Sequence, residues 1–491
     1  MAIRKTIDLV ELKDGSECLV ISLVRAAGTP SGSGCSCHAD RVALMAHSFD
    51  TGTEAAGLCA FVDASPSPFH ACAEAGRRLE AAGFSHLAET EAFPVEPGRH
   101  YLIRGGSLIA WSTESAGGPT TPFRVVGAHT DSPNLRIKPQ PDLSRAGWQL
   151  LGVEFYGGLL FNSWLDRDLG LSGRVAVRGR DGVETRLVAI NDPVLRVAQL
   201  AVHLDRGANE GLVLNPQAHL TPLWGVSTEP GDFRGYLGAA VGVDAADVLS
   251  WDVMTHDLQP SRRIGRDLDL IAAPRLDNLA TSYAGVQALV DAVSRLAGSG
   301  LGEASTSRSG SPSSPSMPVL VLFDHEEAGS QSERGAMSTL LPSVLERVVI
   351  SAGGGREDYH RALAGTVIAS GDMAHATHPN YAEKHEPQHQ IAINGGPVLK
   401  TNVKLRYATD SVGAAAFIVA CDQAGVPVQH FVSRNDLPCG STVGPMTAAL
   451  TGATTVDFGA PMLSMHSARE MCGAKDPAMY AGALAAFLAP A

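Results

Sequence analysis

Short apolar runs that stop at a charged or imidazole residue recur along this chain. Phe123 to Ala128 ends at His129, and Val319 to Phe323 runs into Asp324-His325-Glu326-Glu327. Thr366 to Ala369 leads to Asp372, while Thr454 to Phe458 leads after a short loop to His466. Such runs, bounded by turn residues, predict buried strands. Helical periods lie between them. Phe69 to Leu79 carries apolar residues at helical spacing behind Ser65-Pro-Ser-Pro68. From Asn278 onward Leu279, Tyr283, Val286, Leu289, Val293 and Leu296 share one face, with Asp or Asn available to cap and Gly298-Ser-Gly300 to end the helix. Asp476-Pro477 opens a last helix with Pro in its first turn. This alternation predicts an α/β fold, a sheet covered by helices.

The texture changes between about Ser132 and Asp267. Strand-like segments around Val153 to Leu160, Leu171 to Val177 and Thr185 to Ile190 are separated by turn signals at Tyr156-Gly-Gly158 and Arg178-Gly-Arg-Asp-Gly182. We therefore read residues 133–267 as an inserted β-rich domain and residues 51–132 plus 268–491 as one discontinuous domain. Residues 1–50, with a Gly/Ser/Cys-rich patch at Ser31 to Cys37, read as a poorly ordered extension, and Met45 as a candidate start. Gly298 to Pro318, rich in Gly, Ser and Pro, reads as a flexible surface loop.

Composition narrows the class. The 491 residues carry a formal charge of -13, which argues against nucleic acid, because phosphate binding needs a basic surface. One cation inside a pocket is still enough to attract an acidic small molecule. No apolar run approaches the ~18 residues needed to cross a membrane. The run Cys18 to Val24 follows Asp8, Glu11, Asp14 and Glu17, where a secretory signal would need a basic leader. The expected location is cytoplasmic. Eight scattered cysteines do not make a disulfide framework; Cys35-Ser-Cys37-His38 is compact but lacks a second ligand pair, so free thiols are expected.

The chemistry lies at the strand ends. His129-Thr-Asp131, Arg275-Leu-Asp277-Asn278, Asp324-His-Glu-Glu327, Asp372-Met-Ala-His375 and Met465-His466-Ser467 each follow an apolar run. Sites in open α/β sheets form beyond the carboxyl ends of the strands, so a shared sheet edge would gather all five. Imidazole mixed with carboxylate suits Zn²⁺, with Mn²⁺ or Co²⁺ as substitutes. Adjacent glutamates allow one to hold metal while the other handles a proton. Singly, each has a plainer explanation: a hydrogen-bonded loop histidine, a helix cap, a turn residue, a solvated charge pair. Five coincident strand ends outweigh those explanations. Asp131, two residues beyond His129, is placed to accept a hydrogen bond from the imidazole nitrogen that faces away from metal.

These motifs, together with Ser65-Pro-Ser-Pro-Phe-His70, Trp164-Leu-Asp-Arg-Asp168, Gly395-Gly-Pro-Val-Leu-Lys400 and Arg434-Asn-Asp-Leu-Pro-Cys-Gly440, resemble the aspartyl aminopeptidase family of dinuclear zinc exopeptidases. The resemblance runs from about residue 56 to the end. It implies a zinc-exopeptidase-like mixed sheet, an inserted dimerisation domain and a dodecamer built from dimers. It implies that Asp277 bridges two zinc ions, with His129 and Asp372 completing one site and Glu327 and His466 the other. Glu326 would be the general base. Lys400 would pair the acidic side chain of peptides beginning with Asp or Glu, His203 would reach a neighbouring subunit's site, and His375 would lie at the site edge. The 50-residue leader and the long Ser/Pro loop before Val319 depart from the family pattern. Two rival readings keep the fold: a metal-dependent deacylase or carboxypeptidase of different specificity, and an inactive assembly or cargo-binding homologue.

Overall fold

The computed structural model describes residues 51–298 and 315–490, and before them the backbone of two strands, Ile3–Glu11 and Glu17–Arg25. Those strands pair antiparallel within a separate unit, residues 1–46, Ile3 opposite Arg25 and Glu11 opposite Glu17. Met45, Cys35-Ser-Cys37-His38 and most of the expected flexible loop, 299–314, lie outside the described residues.

The main unit is built on a nine-stranded mixed sheet. At its centre Thr454–Gly459, Val367–Gly371, Phe123–His129 and Met317–Phe323 run parallel, in that spatial order. Phe323 pairs with His129 and Gly371 with Phe458, so the carboxyl ends of the four strands finish level. Both faces are covered, which is why these strands read as near-continuous apolar runs. Leu320 and Leu322 pack with the helices Leu276–Gly298 and Asp476–Leu488, while Val319, Val321 and Phe323 pack with Leu340–Ser351 on the other side. The helical face read from Leu279, Tyr283, Val286, Leu289 and Val293 is the buried one. The expected cap is corrected: Asn278 Oδ1 and Asp277 Oδ1 accept no hydrogen bond, and the Asn278 amide donates to the Gly371 carbonyl at 2.8 Å.

A five-stranded sheet adjoins it, ordered Arg262–Ile264, Leu270–Ala273, Glu470–Gly473, Pro461–Leu463, Ala374–His375. This corrects the single shared edge expected above. Asp277 follows Leu270–Ala273 and His466 follows Pro461–Leu463, both of the smaller sheet, whereas His129, Glu326 and Asp372 follow strands of the larger one. Apolar runs alone do not reveal which strands hydrogen-bond to which.

Residues 134–257 carry a six-stranded antiparallel sheet with its own core, including Leu135, Leu151, Leu171, Val253 and Phe233. Three of its strands match segments that the sequence suggests. Asn134–Arg145 is missed because Pro139 and Pro141 interrupt its pattern, and they fall in a register shift between Ile137 and Asp142. The strand expected over Val153 to Leu160 is Trp148–Tyr156, ended by Gly157 with φ +75°.

Candidate metal centre

Beyond the level strand ends, two groups of ligand atoms converge. His129, Asp277 and Asp372 form one and Asp277, Glu327 and His466 the other, each within 4.8 Å. Asp277 belongs to both: its Oδ1 lies 3.3 Å from His129 Nε2 and its Oδ2 3.6 Å from His466 Nε2. His129 Nε2 is 3.7 Å from Asp372 Oδ1, and His466 Nε2 is 3.2 Å from Glu327 Oε1. Glu326 completes neither group and sits beside them, its Oε2 4.0 Å from His129 Nε2.

A cation fits here. His129 Nε2, Asp277 Oδ1 and Glu327 Oε1 are buried without a hydrogen-bond partner, although buried polar atoms are seldom left so. The mixture of imidazole and carboxylate is a zinc donor set. Electrostatics agree. Burial raises Glu327 to about 7 even with His466 beside it. Burial alone would lower His466, but Asp277 and Glu327 carry it up to about 11. Burial likewise opposes charge on His129, yet Asp131, Asp277 and Asp372 raise it well above its usual value. The Asp277 carboxyl, which burial would raise, is held far below the usual range by the same two imidazoles. Burial pushes Glu326 well up, and Asp372 and Glu327 add to that against His129. The carboxylates thus favour positive charge among them, and at ligands of this kind metal binding is coupled to release of protons.

Each ligand is pinned through its backbone. Ser282 Oγ donates to the His129 carbonyl at 2.8 Å and Ser132 Oγ to the Asp277 carbonyl at 2.6 Å. Asp372 N–H donates to the Phe458 carbonyl at 2.9 Å. The buried Glu470 accepts from Asp277 N at 3.0 Å and His466 N at 2.7 Å, tying the two imidazole–carboxylate groups together. Asp131 does more than the spacing suggests. His129 Nδ1 lies 3.0 Å from the Asp131 carbonyl and 3.4 Å from its carboxylate Oδ1. That carboxylate also accepts from Glu326 N, Glu327 N and Tyr156 OH, at 3.1, 3.0 and 2.6 Å. It fixes the turn Glu326–Ala328 that places both glutamates. His325 and His466 adopt positive φ, 64° and 66°, a strain that clusters at functional sites.

Tyr156, Gly158 and Glu470 are the residues that sequence reading missed. Tyr156-Gly-Gly158 is legible only as a turn, yet the Gly158 carbonyl receives His466 Nδ1 at 3.0 Å. A side chain at Gly157 would meet Glu327 Cβ at 3.1 Å. Glu470, four residues after His466, gives only a charge as signal.

A cavity of about 690 Å³ opens over this centre. Asp277, Glu326, Glu327, Asp372 and His466 line it with Lys400, and His375 lies on its wall against Phe431, ring centroids 6.3 Å apart. Lys400 is 2% exposed; its Nζ donates to the Met373 carbonyl at 3.3 Å, stands 3.7 Å from Asp372 Oδ2 and faces the Tyr407 ring at 5.0 Å. His203 is not brought to this cavity: it lies exposed in a turn.

A centre of two imidazoles and three carboxylates at the carboxyl edge of a helix-covered mixed sheet, with a further glutamate beside it, is a candidate site for metal-assisted hydrolysis on an α/β fold. Residues 61–488 match the family described as aminopeptidase I zinc metalloprotease (M18). The chain belongs to the M18 family and is a zinc aminopeptidase of that family. It is 54% identical over 436 residues to the probable M18 family aminopeptidase 2 of Mycobacterium tuberculosis H37Rv, covering 88% of this chain and 97% of that one. A chain in the cryo-EM structure of the Ape4 and Nbr1 complex is similar at 36% identity and a TM-score of 0.83, covering 89% of this chain and 86% of that one. The S. cerevisiae mApe1 dodecamer is similar at 27% identity and a TM-score of 0.74, with 89% and 97% covered.

Proposed function

We propose that this aminopeptidase removes N-terminal Asp or Glu from peptides and holds two zinc ions per subunit, replaceable by Mn²⁺ or Co²⁺. The observation that carries the specificity is Lys400, a buried cation in the wall of the cavity whose floor is the metal centre. Asp277 would be shared by the two ions, with His129 and Asp372 holding one and Glu327 and His466 the other. When bound, zinc would supply Lewis acidity toward the scissile carbonyl and the attacking water. Glu326 takes the proton from the attacking water and returns it to the leaving amine. Lys400 pairs the carboxylate of the first side chain, and a neutral side chain forgoes that pair in a buried wall, which costs binding. His375 borders the same pocket.

We further propose a homo-oligomer, a dodecamer built from dimers, with 133–267 as its dimerisation domain. The mApe1 relative is solved as a dodecamer. His203, exposed and off its own cavity, would then reach a neighbouring subunit's site. The cytoplasm suits the free thiols of Cys59, Cys72, Cys421, Cys439 and Cys472, and among the described residues no helix is long and apolar enough to cross a membrane.

Protein reconstituted separately with Zn²⁺, Mn²⁺ and Co²⁺ should hydrolyse Asp- and Glu-p-nitroanilide far faster than the Leu compound. Preference for Leu, or for an acylated amino acid, would replace the proposed specificity with that of another peptidase or a deacylase. Stoichiometric zinc without turnover of any acidic peptide would indicate an assembly or cargo-binding protein.

A further inference from the structure

Lys400 is buried, so its charge and position depend on what lies behind it as well as on the cavity in front. Asp457, on the strand Thr454–Gly459, is 0% exposed and has no part in the metal centre. Its carboxylate accepts from Ser370 Oγ at 2.7 Å, Thr442 Oγ1 at 2.6 Å and Ala408 N at 2.5 Å. Its own N–H donates to Thr409 Oγ1 at 2.8 Å. Thr442 caps the helix Val443–Thr451, and the carboxylate comes so close to that helix start that a Cβ at Gly444 would lie 2.2 Å from it. The chain thus leaves room here for a carboxylate and little else.

These partners are the roots of the specificity wall. Arg406, Tyr407, Ser441 and Thr442 line the cavity, on two loops that Asp457 draws to one point from behind. Tyr407, one residue from Ala408, places its ring over Lys400. Lys400 is also the cation that most offsets the burial of Asp457.

We propose that Asp457 is the positioning residue of the acid pocket: it braces the Tyr407 and Thr442 loops around Lys400. This rests on the reading of Lys400 as the acid-binding group. It adds that specificity is set from beneath the sheet edge by a residue that substrate never touches.

The test is a double-mutant cycle of D457N and K400A on zinc-loaded protein, with Asp- and Leu-p-nitroanilide. D457N should lower the Asp-to-Leu ratio of kcat/KM about tenfold, chiefly through KM for the Asp compound, and lower it no further in the K400A background. A mere structural role would lower kcat/KM equally for both compounds and equally in both backgrounds, and that result overturns the proposal. Should D457N fail to fold, T442V removes one bond on the cavity side and should shift the ratio about threefold; an unchanged ratio overturns the proposal. The wild-type ratio tests the acid pocket separately. If that ratio is near one, the pocket reading fails. The cycle on the Leu compound alone then decides for Asp457: non-additive losses support its action through Lys400, and additive losses overturn it.

Discussion

On the floor of the cavity every proposed ligand has its backbone tied: His129 by Ser282, Asp277 by Ser132 and Glu470, Asp372 by Phe458, Glu327 by Asp131, His466 by Glu470. The wall is built otherwise. Lys400 ends a three-residue strand, Val398–Lys400, and its companions come from loops in which Val403 and Leu405 are 95% and 69% exposed. The contrast follows from the two tasks. A metal centre works only when its ligands are held within about 0.5 Å of the productive geometry, which favours strand ends and doubly anchored turns. Choosing a side chain by charge tolerates more movement, and loops can vary without disturbing the chemistry beneath them.

Four substitutions sharpen that contrast. Asp277→Ala removes the one side chain common to both ligand groups; metal content should collapse and kcat/KM fall by about 10⁴-fold or more, read by elemental analysis beside the rate. Glu326→Gln should keep its metal and lose about 10³-fold in kcat, because only the proton carrier is gone. A loss of metal in that variant would make Glu326 a ligand and undo the assignment. Lys400→Ala should leave metal content intact and cut the Asp-to-Leu ratio of kcat/KM by about 100-fold; an equal loss on both compounds would mean that the wall serves catalysis in general. Glu470→Gln should weaken metal affinity by about tenfold, measured by chelator competition, since the amide has one acceptor oxygen for two backbone N–H groups.

Much of this was legible without coordinates. Parallel strands buried on both faces must be apolar along their length, so Phe123–His129 and Met317–Phe323 announce themselves, and a charged residue at the end of such a run stands out. Asp131 was legible in only half of its part. Sequence spacing suggested an imidazole partner, and its carboxylate does lie 3.4 Å from His129 Nδ1, but the fold also gives that carboxylate to the Glu326–Glu327 turn. Asn134–Arg145 was hidden by its prolines, and Tyr156 and Glu470 because a tyrosine before glycines, or a lone glutamate, has no distinguishing pattern.

The sequence by itself determined the chemistry: which imidazoles and carboxylates exist, that each follows a buried strand, and hence that a cation-binding hydrolase was in view. Strand formation and burial are written in local hydrophobic pattern. Only the tertiary structure decided that two sheets, not one, deliver the ligands, that Asp277 turns one oxygen to each imidazole, and that Glu470 and Asp131 clamp the arrangement. Those outcomes depend on contacts between residues separated by about two hundred positions, such as Asp277 with Glu470 and Asp131 with Glu327, and no local period encodes them.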